Sequence, residues 1–518
     1  MQPSPSPEQQ AILEWVLHGT GHAVVQATAG SGKTTTLEMV ARLLPEDISG
    51  QYCAFSKAIV EELQGRLPGH LKVNTLHSLG YQVIKTFYPQ SIQHRPDSLK
   101  YRTLLTRALR DDGKVPGFFS REDTFQAIEY LFGLQRVVRM TFIPPSAAQQ
   151  VRQAGQRFDL PEPDHEEVTL WCLQRLPALI QEGIRKVEGR GWVDFEDMLY
   201  VPVATGLDYR SVDFLLVDEA QDLSPLQLQF ALGLIHPGGR SIFVGDDHQA
   251  IYGFAGADHH SLKHIEDTLQ ATVLPLSTSY RCPQLHVKLA QHFSPRMQAR
   301  PAAAMGTIKH VNETFFLKAV QEGDLVLCRY NAPLASMYHE LIQLGKRPRL
   351  RKGDFSDQLL RTLQQLYQHT DFNLQTIRLQ ADTQRVQEER RLRNARLDPK
   401  VLLKKTVELR DRLDSVVHLA TTAYEQGHHT LEAARSYLQN IISVEHDFIT
   451  LSTVHSAKGL EASRVFILHP EKMTPTYALT EEAVRGEQCV QFVALTRARE
   501  ALYFVEEPLH ETVKGVNR

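Results

Sequence analysis

The sequence predicts an α/β protein built on parallel sheets, and three short segments carry that prediction. An apolar run over 22–26 leads into a glycine-rich turn, which is followed by a helical stripe of apolar residues within 34–44. Two further apolar runs, 212–217 and 241–245, each end directly before a carboxylate. Short β-branched runs of this kind are typical of buried parallel strands with a ligand site at their carboxyl edge.

The turn after the first strand resembles a phosphate-binding loop. It reads QATAGSGKTTT and matches the pattern G-x-x-x-x-G-K-[ST] except at Ala27, which stands where the pattern has glycine. Backbone N–H groups and the helix dipole favour an anion at such a turn. The residues expected to bind ATP here are Ala29, Gly30, Ser31, Gly32, Lys33, Thr34 and Thr35.

A phosphate loop that binds Mg²⁺ needs carboxylates from a neighbouring strand, and the second apolar run supplies Asp218 and Glu219. Lys33 is expected to neutralise the phosphates, and Thr34 and Asp218 to hold Mg²⁺. Glu219 is expected to polarise the attacking water. Two adjacent acids taken alone also fit a helix N-cap, but the phosphate loop favours the catalytic interpretation.

Length and composition limit the class of protein. A chain of 518 residues predicts about three or four folding units. The formal net charge of −3 argues against a histone-like basic protein but allows a local basic groove. Five cysteines without a C-x-x-C pair predict a reduced interior and no structural zinc. No signal peptide or membrane-spanning run is visible, so we expect a cytoplasmic or nucleoid-associated protein, or a nuclear one in a eukaryote, without membrane contact.

Five further segments carry a family resemblance. VDEAQD, VGDDHQAIYGFAGA, LSTSYRCP, LSTVHSAKGLE and QFVALTRA occur in the order found in superfamily-1 helicases. The chain therefore resembles helicases of the UvrD/Rep/PcrA type over nearly its whole length. Its TAGSGKT sequence and its compact length are closer to the F-box DNA helicase branch.

This resemblance implies two RecA-like parallel-sheet motor domains, each interrupted by a mainly helical insertion. The segment 193–199 resembles the family's D-F-x-D-L motif, which returns the chain to the first domain. The expected boundaries are 1–80 with 187–270 for the first RecA-like ATPase domain, 81–186 for its helical insertion, 271–340 with 441–518 for the second RecA-like domain, and 341–440 for the second insertion.

The resemblance also implies roles at the nucleotide. Gln249 is expected to sense the γ-phosphate and to couple it to DNA. Arg281 and Arg497 are expected to act as arginine fingers, because phosphoryl transfer spreads negative charge in its transition state. The other nucleotide contacts expected from the family's motifs are Gln9 at the adenine edge, Tyr280 stacked on adenine, and Glu461. A polar helix start is the alternative interpretation of Gln9.

For DNA, the resemblance implies a track of aromatic and polar side chains. Bases stack on aromatic rings whatever their sequence, as a translocating motor requires. The expected contacts are Phe55, Lys57, Thr75, His77, Tyr252, Phe254, His455 and Lys458. Each aromatic residue taken alone also fits a place in a hydrophobic core.

Three positions depart from the family pattern: Ala27, Thr35 in place of a frequent adenine-stacking arginine, and Ala255 in place of a strand-contacting arginine. We expect them to affect nucleotide selectivity and DNA grip more than hydrolysis.

The second insertion is rich in positive charge. Residues 385–412 contain ten Lys or Arg against five Asp or Glu, and 346–352 contain five cations and no acid. A solvated helix face and contact with nucleic-acid phosphates are both compatible with this pattern. The helical insertions are also the expected surface for a protein partner.

The resemblance thus implies an ATP-dependent, Mg²⁺-requiring translocase and helicase acting on single-stranded DNA and on ss/dsDNA junctions, with 3′→5′ polarity. Repair, recombination, replication and phage defence are the expected settings. The alternative is a nucleotide-gated DNA-binding subunit with little unwinding of its own, which should have lost Glu219 or an arginine finger. An RNA substrate also stays open, because stacking does not read the 2′-hydroxyl.

Overall fold

The computed structural model of the protein describes residues 4–93, 95–111, 119–251, 261–351, 354–367, 373–394, 397–443 and 448–506. The chain divides into two compact units, with the boundary along the chain between Ser277 and Thr278. In the part of the chain that is described, every helix is too short or too polar to cross a bilayer.

The first unit is built on a parallel sheet. Its strands are β1 (His22–Ala27), β2 (Gly50–Cys53), β3 (Leu71–Asn74), β4 (Val212–Val217), β5 (Ile235–Gly245) and β6 (Thr272–Leu276). Across the sheet the order is β3-β2-β4-β5-β1-β6. All neighbouring strands are parallel. The middle of β1 is fully buried, which explains its continuous apolar run. The carboxyl ends of β1, β4 and β5 consequently lie at one edge of the sheet.

Helices cover this sheet and extend into the first insertion. They are α1 (Pro7–His18), α2 (Lys33–Leu43), α3 (Lys57–Gln64), α4 (Leu76–Phe87), α5 (Lys100–Asp111), α6 (Arg121–Thr141), α7 (Ala148–Arg157), α8 (Glu166–Arg190), α9 (Asp197–Ala204), α10 (Pro225–Gly233) and α11 (Ser261–Leu269). The helices α5, α6 and α7 and most of α8 fall within the expected insertion. Fully buried side chains such as Leu131, Leu134 and Leu176 pack between them.

A group of buried charges ties the insertion to the start of α9. Lys100 Nζ lies 2.6 Å from Asp197 Oδ2. Arg139 Nη1 lies 2.8 Å from Asp194 Oδ1 and 2.9 Å from Asp197 Oδ1. Burial and the charge of Asp194 raise the pKa of Asp197 to about 6, against the opposing effect of the two cations. Breaking such a buried group costs about 3–5 kcal/mol. The group therefore holds in place the short loop that carries Phe195.

The second unit has its own parallel sheet. Its strands are β7 (Thr278–Ser279), β8 (Gln298–Ala299), β9 (Thr307–Asn312), β10 (Leu325–Cys328), β11 (Pro348–Arg351), β12 (Ile442–Ser443), β13 (Ile449–Thr453), β14 (Ala462–Leu468) and β15 (Ala498–Glu506). The main sheet has the order β12-β11-β13-β10-β14-β15-β9, and β7 pairs with β8 alone. Neighbours in the main sheet are parallel.

The helices of the second unit are α12 (Gln284–Ala290), α13 (Glu313–Ala319), α14 (Asn331–Gln343), α15 (Asp354–Leu366), α16 (Leu374–Asn394), α17 (Pro399–Glu425), α18 (Leu431–Ile441) and α19 (Glu481–Leu495). The segment from α15 to α18 is helical over most of its described length. Along the chain it comes between β11 and β12, which are neighbours in the sheet. Buried residues of these helices, such as Leu419 and Leu438, join the hydrophobic core around β10 and β13.

The structure corrects two of the expected boundaries. Thr272–Leu276, expected at the start of the second domain, pairs with β1 in the first sheet. Most of its residues are exposed and one is a proline, so its sequence does not have the apolar pattern that predicts a strand of the first sheet. Pro348–Arg351, expected within the helical insertion, is a strand paired with β13. Its arginines are accommodated because Arg349 lies 4.4 Å from the ring of Phe448 and Arg351 Nε donates to Ser456 O at 2.9 Å.

Candidate active site

The phosphate loop lies between β1 and α2, where the sequence predicts it. Gly30 and Gly32 have φ values of 69° and 81°, in the left-handed region that favours glycine. Ser31 Oγ donates to Thr28 O at 2.9 Å, which closes the turn. Gly32 is the N-cap of α2 and brings no side-chain cap, so the first N–H groups of the helix are suited to an anion. Ala27 ends β1 in extended conformation, and that geometry does not require glycine.

The predicted magnesium and base residues lie beside this loop. Thr34 Oγ1 donates to Asp218 Oδ2 at 3.2 Å, and Lys33 Nζ lies 4.0 Å from Glu219 Oε1. Tyr52, which the sequence analysis did not assign, donates its hydroxyl to the same Oδ2 at 3.0 Å. Burial and the charge of Glu219 raise the pKa of Asp218 to about 6, against Lys33 and the Tyr52 hydrogen bond. Hydroxyl and carboxylate oxygens are the donors that Mg²⁺ prefers, so the set fits this ion.

A second set of contacts joins the carboxyl ends of β4 and β5. Gln221 Nε2 donates to Glu219 Oε2 at 2.5 Å, and its Oε1 accepts from Asp246 N at 2.9 Å. Gln249 Nε2 donates to Asp246 Oδ2 at 2.6 Å. The structure therefore connects Gln249 to Glu219 through Gln221. Gln221 is not among the residues expected from the sequence, although its place in VDEAQD, two residues after the expected base, was a signal.

Gln9 lies against the phosphate loop and also serves α1. Its Nε2 donates to Thr36 Oγ1 at 3.0 Å, and its Oε1 accepts from Ser6 N at 2.9 Å in a capping box. Gln9 is thus both a polar helix start and a neighbour of the nucleotide loop. Thr35 lies in the first turn of α2 and is exposed.

In the second unit, Arg281 is held by a carboxylate. Its Nε pairs with Glu461, and its Nη1 donates to Thr496 O at 3.3 Å. Glu461 directly precedes β14 and also pairs with Arg499. Burial alone would raise the pKa of Glu461, but the two guanidinium groups hold it below its usual range. Tyr280, next to Arg281, is 45% exposed.

Arg497 is engaged by the backbone of its own unit. It is 1% exposed, and it donates to Val493 O at 2.9 Å and to Leu460 O at 3.2 Å. It directly precedes β15, so it lies at the same end of the sheet as Glu461.

Most of the expected DNA contacts in the first unit follow β2 and β3. Phe55 is 44% exposed, and the Lys57 side chain is 89% exposed. Thr75 is the N-cap of α4. The His77 ring stacks on Phe195, with 4.0 Å between centroids and 19° between planes. Phe195 is 54% exposed and was not assigned from the sequence.

The two histidines expected at DNA are neutral near pH 7. Burial lowers the pKa of His77 to about 4. Burial, aided by Arg329, lowers the pKa of His455 to about 3. His455 and Lys458 lie in the turn after β13, and Lys458 N donates to His455 O at 3.4 Å. The expected contacts Tyr252 and Phe254, and the departure at Ala255, lie outside the described residues.

A parallel sheet with a phosphate loop after one strand and paired carboxylates after another defines a P-loop nucleotide-binding protein. The family model of the UvrD/REP helicase N-terminal domain matches residues 6–270. The chain therefore belongs to the UvrD/REP helicase family. This membership confirms the resemblance found in the sequence, and the sheets confirm the predicted fold class.

Among known proteins, the chain is similar to three named helicases. It is 28% identical over 281 residues to DNA helicase II of Haemophilus influenzae, covering 50% of this chain and 36% of the relative. It is 28% identical over 271 residues to F-box DNA helicase protein 1 of Schizosaccharomyces pombe, covering 48% and 28%. It is 25% identical over 305 residues to ATP-dependent DNA helicase Rep of Escherichia coli, covering 53% and 41%. The match spans less than half the length of each relative.

Proposed function

We propose that the protein is an ATP-dependent translocase and helicase that acts on single-stranded DNA and ss/dsDNA junctions. One observation carries this proposal: the side chains of the phosphate loop contact the two carboxylates across the sheet, Thr34 with Asp218 and Lys33 with Glu219. The names of the three relatives, all DNA helicases and one of them ATP-dependent, support it.

In the proposed reaction, each group has a defined task. The loop's backbone N–H groups and Lys33 hold the phosphates, and Thr34 and Asp218 hold Mg²⁺. When bound, the ion neutralises charge on the β- and γ-phosphates. Glu219 accepts the proton of the attacking water as the water adds to the γ-phosphorus and ADP leaves. Gln249 is proposed as the γ-phosphate sensor.

The second unit contributes further proposed roles. Arg281 and Arg497 act as arginine fingers, Tyr280 stacks on the adenine, and Glu461 contacts the nucleotide. Gln9 reads the adenine edge from the first unit. Each of these assignments follows the family pattern.

For the DNA strand, the first unit offers an exposed aromatic surface. Phe55 and the Phe195–His77 stack can each receive a base, at about 1–3 kcal/mol per stacked base. Because the lowered pKa leaves His77 uncharged near pH 7, its stack with Phe195 presents uncharged ring faces, and the exposed Lys57 adds a charge for a phosphate. His455 and Lys458 are the proposed contacts of the second unit. The proposed polarity is 3′→5′, and the proposed setting is DNA repair, recombination, replication or phage defence.

The first test is the Lys33→Ala variant. We expect ATP turnover to fall by at least about 10³-fold, because the variant loses the cation that neutralises the phosphates. Thermal unfolding should change little, because the contact of Lys33 Nζ with Glu219 Oε1 is a long one, at 4.0 Å. Lys263→Ala, which removes an exposed lysine on α11, is the matched control and should retain full turnover. Unchanged DNA-stimulated turnover in Lys33→Ala would refute the proposal.

Strand displacement on duplexes with 3′ or 5′ single-stranded tails tests the coupling to unwinding. The helicase proposal requires displaced strand from the 3′-tailed substrate. ATP-sensitive DNA binding without product from either tail would instead identify a nucleotide-gated DNA-binding subunit. The same assay with RNA tails determines whether RNA is a substrate.

A further inference from the structure

The side chain of Gln221 joins the two strand ends that carry the hydrolytic residues. It is fully buried and lies in the short turn Ala220–Asp222 that follows β4. Its amide donates to the Glu219 carboxylate at 2.5 Å and accepts from the backbone N–H of Asp246 at 2.9 Å. One rigid planar group thus contacts both sides of the site.

The fit of this amide depends on a glycine. A Cβ at Gly245, the last residue of β5, would lie 2.5 Å from Gln221 Oε1 and 3.0 Å from Gln221 N. Only the absence of a side chain at 245 lets the amide reach the N–H of the next residue. The backbone at Gly245 therefore lies in close contact with both the backbone and the side-chain amide of Gln221.

Beyond Asp246 the contacts continue to the proposed sensor. The Asp246 carboxylate accepts from His248 N at 3.1 Å and from Gln249 Nε2 at 2.6 Å. Asp246 is 1% exposed, so these bonds are not exchanged easily with water. An unbroken series of hydrogen bonds and covalent links runs from Gln249 through Asp246 and Gln221 to Glu219.

Glu219 itself is held in an uncommon geometry. Its φ of 52° and ψ of 42° place it in the left-handed region, which costs a non-glycine residue about 1–2 kcal/mol. One carboxylate oxygen faces Lys33, and the other accepts from Gln221. The amide of Gln221 thus contributes directly to where the carboxylate of the proposed base points.

We propose that Gln221 is a positioning residue that places Glu219 for hydrolysis and transmits to it the state of the Asp246–Gln249 turn. This inference rests on the proposed function, in which Glu219 is the base and Gln249 senses the γ-phosphate. A shift of the Asp246 peptide displaces the amide oxygen of Gln221, and the rigid amide moves its nitrogen, and with it Glu219. Binding of DNA or nucleotide at the Asp246–Gln249 turn then changes the position of the Glu219 carboxylate.

The test compares Gln221→Met with Gln227→Met. Methionine has nearly the same length and no amide. Gln227 is the matched control, because its Oε1 also accepts a backbone N–H, that of Ser224 at 2.8 Å, but it does not contact Glu219. We expect Gln221→Met to lower the DNA-stimulated kcat roughly 10- to 100-fold, as for a misplaced catalytic group. The KM for ATP should stay within about threefold, and the ratio of stimulated to basal kcat should approach one.

Two further variants test separately the hydrogen bond of Gln221 to Glu219 and its hydrogen bond to Asp246 N. Gln221→Glu keeps an acceptor for Asp246 N but sets a second carboxylate against Glu219, so we expect at least as large a loss of kcat. Gly245→Ala leaves Gln221 intact but pushes its amide away, so it should reproduce the loss of stimulation. Thermal unfolding of each variant shows whether the fold is retained.

The outcomes are distinct. Wild-type kcat and stimulation in Gln221→Met would overturn the positioning role. So would a loss that Gln227→Met shares, because the effect would then be structural. With Lys33→Ala measured in parallel, a wild-type protein that does not hydrolyse ATP overturns the proposed function and this inference together. Hydrolysis that depends on Lys33 but not on Gln221 overturns this inference alone.

Discussion

The two parallel sheets present proposed nucleotide-contacting residues at opposite ends of their strands. In the first unit, the nucleotide residues follow the carboxyl ends of β1, β4 and β5. They meet one another directly, as in the 3.2 Å contact of Thr34 with Asp218. In the second unit, Glu461 and Arg497 precede the amino ends of β14 and β15.

This difference has a physical consequence. At the carboxyl edge of the first sheet, the strand order alone brings cation, hydroxyl and carboxylates together. At the amino edge of the second sheet, the guanidinium groups are satisfied locally, Arg281 by Glu461 and Arg497 by backbone carbonyls. An anionic ligand must therefore compete with the existing partners of these two arginines.

The largest expected effect tests those arginines. Arg281→Ala should lower kcat about 10³-fold, the contribution of an arginine finger, with little change in thermal unfolding. Its contact with Glu461 is partly exposed, with 17% and 29% of the two side chains accessible, and exposed pairs are worth about 0–1 kcal/mol.

Arg497→Ala provides the contrast. The same loss of turnover should come with a lower unfolding temperature, because two buried carbonyls lose a donor at about 1–3 kcal/mol. ATPase assays and thermal unfolding of both variants measure the difference. Full turnover in Arg281→Ala, or equal stability losses in the two variants, would contradict the comparison.

A smaller effect is expected at the metal residues of the first sheet. Thr34→Val removes the hydroxyl next to Asp218 while keeping the shape of the side chain. We expect the Mg²⁺ concentration for half-maximal ATPase to rise about tenfold, which corresponds to the roughly 1.4 kcal/mol of one hydrogen-bonding group. Thr34→Ser retains the hydroxyl and should behave like the wild type. A Mg²⁺ titration in which the valine and serine variants coincide would remove Thr34 from the site.

The smallest effect is a pH dependence in the first unit. His77 has a folded pKa of about 4, below the value of about 6.5 in an unfolded chain. Between these values the unfolded state binds more protons, so the contribution of His77 to stability is present above about pH 6.5 and is lost as the pH falls toward 4. When the pH is lowered from 7.5 to 5.0, the urea midpoint of the wild type should therefore fall more than that of His77→Gln.

His264→Gln, which changes an exposed histidine on α11, is the control for this measurement. A constant difference in urea midpoint between wild type and His77→Gln at both pH values would show that the pKa of His77 is not lowered in the folded protein.

Much of the first unit's site was accessible from sequence because its signals are local. The phosphate loop is one contiguous turn, and Asp218 and Glu219 directly follow an apolar run that is typical of a buried strand. Phe195 and Gln221 lay inside segments that were recognised for other reasons, so their own roles were missed. Tyr52 gave no signal, because its contact with Asp218 depends on β2 lying beside β4.

Two strands were misplaced for a related reason. The periodicity of a segment reports how it is buried, and β6 and β11 are short strands with mixed exposure. Neither β6, with its proline, nor β11, with its arginines, has the continuous apolar run of a central strand. Membership in a sheet is determined by hydrogen-bonding partners that are distant along the chain, and no local pattern encodes them.

The sequence by itself determined the family, the α/β class and the chemical groups available at the nucleotide, because these depend on residue types at fixed short spacings. Only the tertiary structure decided which of those groups meet: that Gln221 bridges Glu219 and Asp246, that Phe195 stacks on His77, and that Arg497 is buried. Such contacts arise where strands and helices remote in sequence pack together. They depend on distances of a few ångströms, which the order of residues along the chain does not specify.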